Sequence, residues 1–239
     1  MLDWKSAADA PVEEQAGFDD LPPGVWVAGA TATQANGGAA PTVKLETTKS
    51  GENRGRKYYS FGVGLLTKGG DPGLKAEYKD RYMFFRSSVH PWEADEPGPK
   101  ALLNGKLTGF INALFAAGTA LDEKDKKVRA QIRWRATLDK LAEIEKAHPE
   151  IDGSNTRNEI TGELDMGLAI LQLVIAGIEN DGRLILFKTG MSKARPGYES
   201  RVEIKQFEDC VPARMTERKV VLFDAAGVVV PTTGVVPAF

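Results

Sequence analysis

The chain is short of the residues on which metal and nucleophilic chemistry usually depends. Its 239 residues include one cysteine, Cys210, and two histidines, His90 and His148. A single thiol excludes an intrachain disulfide framework and a multi-cysteine zinc site. Zinc needs three or four protein ligands, usually His, Cys or carboxylate, and both histidines precede proline in predicted loops. No catalytic residue, metal or cofactor is therefore predicted, and Cys210 reads as a quiet, partly buried thiol. No run of about 18 apolar residues exists, so no membrane-spanning helix is expected. The first fifteen residues, MLDWKSAADAPVEEQ, are acidic and lack the basic-then-apolar layout of a secretory leader, which predicts a cytoplasmic chain. A nucleotide-phosphate loop is also missing. "GPKALLNGKLTG" spaces Gly98 too far from Gly105–Lys106, and Leu107 stands where Ser or Thr would hold Mg²⁺.

What is present is ordinary in bulk and uneven in distribution. The composition is 42% hydrophobic and 27% charged, enough for a substantial core. The formal charge of −2 argues against a strongly basic protein, but it sums opposed blocks. Residues 41–90 carry ten basic side chains against five acids, whereas residues 1–40 carry one against six. A basic face survives that cancellation.

Hydrophobic periodicity divides the chain into strands, helices and strands again. Residues 1–22 form an acidic irregular segment, 23–223 a single α+β domain, and 224–239 an extended tail. Within the domain, strands are expected over 24–88, helices over 101–178 and strands over 183–223. "RKYYSFGVGLL" alternates, placing Tyr59, Phe61, Val63 and Leu65 on one face and Arg56, Tyr58, Ser60 and Gly62 on the other. Gly55 turns the chain into that strand, and "TKGGDPG" closes it as a loop. "AEYKDRYMFFRSS" supplies a fourth strand, with Tyr78, Tyr82, Phe84 and Arg86 on one face. Leu103, Leu107, Phe110, Ile111, Leu114 and Phe115 form a helical stripe ending near Gly118. Asp122 is placed as N-cap of a helix over 123–147 with Val128, Ile132, Leu138, Leu141 and Ile144 inward. A third helix spans about 156–178, with Leu164, Leu168 and Leu171 among its buried residues. Helices set between two groups of antiparallel strands indicate α+β. An OB-like antiparallel barrel with a two- to three-helix insertion fits this order, as does a curved sheet covered by helices.

The basic block is also aromatic. Seven of the nineteen aromatic residues fall within 41–90. Single-stranded nucleic acid is held by cations along its phosphates and by rings that stack on its bases, each worth about 1–3 kcal/mol. The candidate contacts are Arg54, Arg56, Lys57, Lys79, Arg81 and Arg86 for phosphates, with Tyr58 and Tyr82 as stacking platforms. A second basic run, "KDKKVRAQIRWR" over 124–135, adds Lys127, Arg133 and Trp134. Phe61, Phe84 and Phe85 are assigned to the core.

"LPPGVW", "GRKYYSFGVG" and "GKLTGFINALFAAG" resemble proteins of phage replication and recombination modules, some of which are OB-fold single-stranded-DNA binders. The resemblance covers about residues 21–120. It implies a non-enzymatic, single-stranded-DNA-binding accessory protein in the cytoplasm of a bacterial host. Its partners would be single-stranded nucleic acid, replication or recombination proteins and copies of itself. The C-terminal "GVVVPTTGVVPAF" departs from the acidic tail common in that group. Two rivals stand beside this reading. One is a phage structural or protein-interaction factor indifferent to nucleic acid. The other is a Mg²⁺-dependent nuclease, in which Asp181 and Glu203 would bind metal beside Lys205.

Overall fold

The computed structural model describes residues 21–31, 43–52, 54–71, 76–89, 105–152, 155–157, 162, 164–181, 183–194, 196, 199–224 and 226–230. The acidic segment before Leu21, the Pro/Gly loop containing His90, and the tail beyond Val230 lie outside those residues. Strands β1 (Gly24–Thr31), β2 (Val43–Thr47), β3 (Lys57–Gly70) and β4 (Tyr82–Val89) come first. Helices α1 (Gly105–Phe115), α2 (Lys126–Ala147) and α3 (Met166–Asp181) follow. Then come β5 (Leu184–Met191), β6 (Val202–Asp209), α4 (Pro212–Glu217), β7 (Val221–Phe223) and β8 (Val229–Val230). The α+β class and the insertion of three helices between strand groups are as the periodicity predicts.

All eight strands form one antiparallel sheet, ordered β6-β5-β1-β3-β7-β8, with β2 and β4 also paired to β3. The long β3 is its axis. Residues 57–61 pair with β2 and 64–70 with β1 along one edge, while 59–66 pair with β4 and 69–70 with β7 along the other. The sheet is open, and the path does not close into a barrel. β3 also continues through Thr67–Gly70, which the Gly-rich sequence marks as a loop. Those residues are held by β1 and β7 on either side, so tertiary pairing overrides local glycine content.

The two faces of this sheet have separate cores. The inner face presents Trp26, Ala28, Tyr59, Phe61, Val63, Leu65, Phe85, Ile185, Phe187, Ile204 and Phe207, all buried. Helix α1 docks there through Phe110, whose ring lies 6.1 Å from Phe61, 5.2 Å from Phe85 and 5.2 Å from Phe207. Such tilted and edge-on aromatic pairs add about 0.5–1.5 kcal/mol each beyond area burial. Helix α3 supplies Leu168, Leu171, Val174 and Ile178 to the same core, and α2 packs on α1 and α3 through Leu141 and Ile144. On the outer face a smaller core of Val27, Leu184, Leu186, Cys210, Met215, Val220 and Leu222 covers only the β1–β5–β7 part.

The structure corrects several element boundaries. Asp125, not Asp122, caps α2, accepting from the amides of Lys127 and Val128. Val128, Ile132 and Leu138 are exposed. The inward stripe of α2 is instead Arg133, Trp134, Thr137, Leu141 and Ile144, because an ion pair and a buried hydrogen bond anchor its first half. Helix α3 begins at Met166, ten residues later than expected, and Leu164 before it is exposed. "AEYKD" is a 3₁₀ turn, Ala76–Tyr78, followed by Asp80 at φ 61°, so β4 starts only at Tyr82. Tyr78 leaves the strand face and packs edge-on against Trp26, 5.5 Å between centroids. Leu21, placed in the irregular lead-in by the sequence, is 2% exposed and belongs to the inner core.

Candidate nucleic-acid interface

Strand alternation sends every second residue of β2, β3 and β4 outward, where the described residues place no helix. Opposite Gly62 and Gly64 of β3 stand Arg86 and Phe84 of β4, and opposite Leu66 stands Tyr82. Each β4 side chain leans one pair along the ladder. The Phe84 ring covers Gly62 and the Tyr82 ring covers Gly64, so closely that a methyl group on either glycine would run into the ring above it. The glycines are needed for this approach. Arg86 in turn lies over the Phe84 ring, 5.4 Å from its centroid. Phe84 is 42% exposed despite these contacts.

The row continues onto β2. Tyr58 lies opposite Glu46, and its hydroxyl donates to the Glu46 carboxylate at 2.9 Å. That hydrogen bond is the main cause of an upward shift of the Tyr58 phenol, while burial raises that of Tyr82. Both rings therefore stay neutral and do not repel a phosphate backbone. Lys44, exposed and opposite Ser60, brings a further cation to the same face.

The predicted site residues fall into four groups. Tyr58, Tyr82 and Arg86 come together on the outer face, as strand alternation requires. Arg54, Arg56 and Lys57 lie exposed at the end of the β2–β3 hairpin. There Thr48 and Arg56 are joined by a backbone hydrogen bond, and Gly55 turns at φ +86°. Lys79 and Arg81 sit in the turn before β4. Lys79 pairs with Asp80 at 3.4 Å, and the Arg81 Nε donates to the Glu77 carbonyl at 3.4 Å.

The residues from α2 lie elsewhere. Lys127 is exposed at the start of the helix, which packs on α1 and α3 on the inner side of the sheet. Arg133 is committed to a two-pronged ion pair with Asp209 of β6, both N···O distances being 2.5 Å. Asp209 is 5% exposed and also accepts from the Gly118 amide, so this pair fastens α2 to the sheet edge. Trp134 packs against the inner core.

Phe84 reverses its expected place. The sequence reading places it in the core with Phe61 and Phe85, but only those two are buried. The signal available in the sequence was the Gly62-x-Gly64 pair in β3, which seats aromatic rings from a neighbouring strand. Lys44 carried no local signal, since its approach depends on the β2–β3 register.

The nuclease constellation is not assembled among the described side chains. Glu203 Oε1 pairs with Lys205 Nζ at 2.6 Å on edge strand β6, which holds the Glu203 carboxyl below its ordinary range. The side chain of Asp181 lies outside the described residues. Among the described residues no three His, Cys, Asp or Glu side chains converge as metal ligands. Cys210 is buried, its Sγ 3.7 Å from Met215 Sδ, and burial pushes its thiol up to about 12. No described helix is long and apolar enough to cross a membrane. Comparison with protein-family models, with curated proteins and with solved structures returns no match to this chain.

Proposed function

We propose that this chain binds single-stranded nucleic acid across the outer face of β2–β3–β4, as a non-enzymatic accessory protein of phage replication or recombination. The observation that carries the reading is the pair of rings, Tyr82 and Phe84, laid on glycines beside each other with Arg86 above one of them. Rings seated this way are fixed in place before any ligand arrives, so little side-chain entropy is lost on stacking. Bases stack on Phe84, Tyr82 and Tyr58. Phosphates meet Arg86 and Lys44, with Arg54, Arg56 and Lys57 extending the track along the hairpin. The open sheet face is used in the manner of an OB fold, although the strands here form no closed barrel. Glu46 opposes one end of the track and limits its net charge. Replication or recombination proteins and further copies of the chain are the partners this role implies.

Fluorescence anisotropy with labelled oligo-dT tests the proposal. Saturable binding at low salt is expected, weakening log-linearly with salt as counterions are released. Absence of binding at low salt overturns it and leaves the exposed rings to a protein partner instead.

A further inference from the structure

A cleft lies at the β6 edge of the sheet, where α1, α2, β6 and α4 meet. Its volume is about 280 Å³, and its wall carries four guanidinium groups: Arg129 and Arg133 from α2, Arg214 of α4 and Arg218 just beyond it. Two carboxylates share that wall, Glu208 and Asp209. Each is already taken. Asp209 is held by Arg133, and Glu208 accepts from Arg218 at 2.9 and 2.7 Å. The other two cations have no carboxylate partner within the cleft wall. Arg214 has only an exposed pairing with Glu217 one turn along α4, at 2.5 Å, and Glu217 lies outside the cleft. Arg129 has no acidic partner among the described residues.

A neutral donor completes the wall. Asn112 is 8% exposed, and its Oδ1 accepts from Thr137 at 2.8 Å. Among the described residues nothing accepts from its Nδ2. Asn112 lines the cleft, so this donor is open to a ligand or water there. Excess positive charge, guanidinium forks and a free amide donor together describe a receptor for a tetrahedral oxyanion. The volume is close to the lower end of small-ligand pockets, about 300 Å³, and is too small for a polynucleotide track.

We infer that this cleft binds a phosphomonoester, its phosphate held between Arg129 and Arg214 with the Asn112 amide donating from below. The Arg133–Asp209 and Arg218–Glu208 pairs form the fixed frame. Ala120 and Leu121, half-buried on the cleft wall, offer apolar surface to the organic part of the ligand. This site is distinct from the outer-face platform: it lies at the β6 edge of the sheet, with β5 and β1 between β6 and β3.

Isothermal titration of the full chain with ribose 5-phosphate, inorganic phosphate and acetate tests the inference. Ribose 5-phosphate is expected to bind saturably and inorganic phosphate more weakly, with acetate inert. Equal affinity for the two phosphates would instead overturn the assignment of an organic moiety. R129Q and R214Q, which leave the Arg133–Asp209 and Arg218–Glu208 pairs intact, should each weaken ribose 5-phosphate at least tenfold, while F84L should leave it unchanged. No saturable heat with either phosphate, or undiminished binding in both arginine variants, overturns the site. Absence of oligo-dT binding by the unaltered chain, with ribose 5-phosphate binding retained, would refute the outer-face reading alone.

Discussion

Strands β3 and β4 carry aromatic side chains on both faces, and the two faces use them in opposite ways. Inward, Tyr59, Phe61 and Phe85 are 3%, 0% and 4% exposed, with Phe110 of α1 packed on the two phenylalanines. Outward, Tyr82 and Phe84 rest on glycine backbone with no helix over them among the described residues, only the Arg86 guanidinium lying over Phe84. The inner rings gain their free energy from a helix that must be brought to them. The outer rings are seated locally and have no covering helix among the described residues. Aromatic content alone therefore does not separate a core from a binding surface. What separates them is the size of the cross-strand neighbour and the presence of a covering element.

The comparison breaks most sharply at neighbouring residues. Phe85→Ala should destabilise the fold by about 3–5 kcal/mol, the usual cost of emptying a buried phenylalanine site. Phe84→Ala should cost about 1 kcal/mol, the scale of an exposed cross-strand pair. Urea denaturation of the two variants measures the gap, and equal losses would mean that the outer ring is also structural. Asp209→Ala should cost about as much as Phe85→Ala, because it strands Arg133 with 16% of its side chain exposed. Its unfolding midpoint in urea tests whether that pair anchors the inner side.

Gly64→Ala probes the outer seat itself. The added methyl group must displace the Tyr82 ring, at a cost of about 1–3 kcal/mol for overpacking. Adding Tyr82→Ala should recover part of that loss, a coupling that a double-mutant cycle in urea reads directly. The smallest effect concerns pH. The Cys210 thiol rises in the folded chain from the ordinary 9.0 to about 12, so the fold favours its neutral form. Stability from this group is complete below about pH 9 and is lost as pH climbs toward about 12. The alkaline decline of stability should be shallower in Cys210→Ala, and in the native chain the thiol should react with disulfide reagents only as fast as the protein opens.

Period-two alternation made the strand faces legible: Tyr59, Phe61 and Val63 turn inward, and Tyr58, Tyr82 and Arg86 share the other side. It did not say which face a helix would cover, so Phe84 was grouped with Phe85. Helix α2 shows a different limit. It carries apolar residues around much of its circumference, and the stripe that docks was decided by Asp209, 76 residues from Arg133. Local periodicity contains no trace of such a partner. The arginine cleft was illegible for the same reason, since its cations come from α2 and from the neighbourhood of α4. The extension of β3 through two glycines was likewise fixed by β1 and β7, not by local preference.

The central claim is that the seated rings of the outer face stack bases, and Tyr82→Leu/Phe84→Leu tests it most directly. Leucine keeps an apolar cover over Gly62 and Gly64 while removing both π faces. Anisotropy with labelled oligo-dT at low salt should show affinity lowered at least tenfold, since each stacked base contributes about 1–3 kcal/mol, with the urea midpoint little changed. Undiminished affinity in a folded double variant would contradict the account.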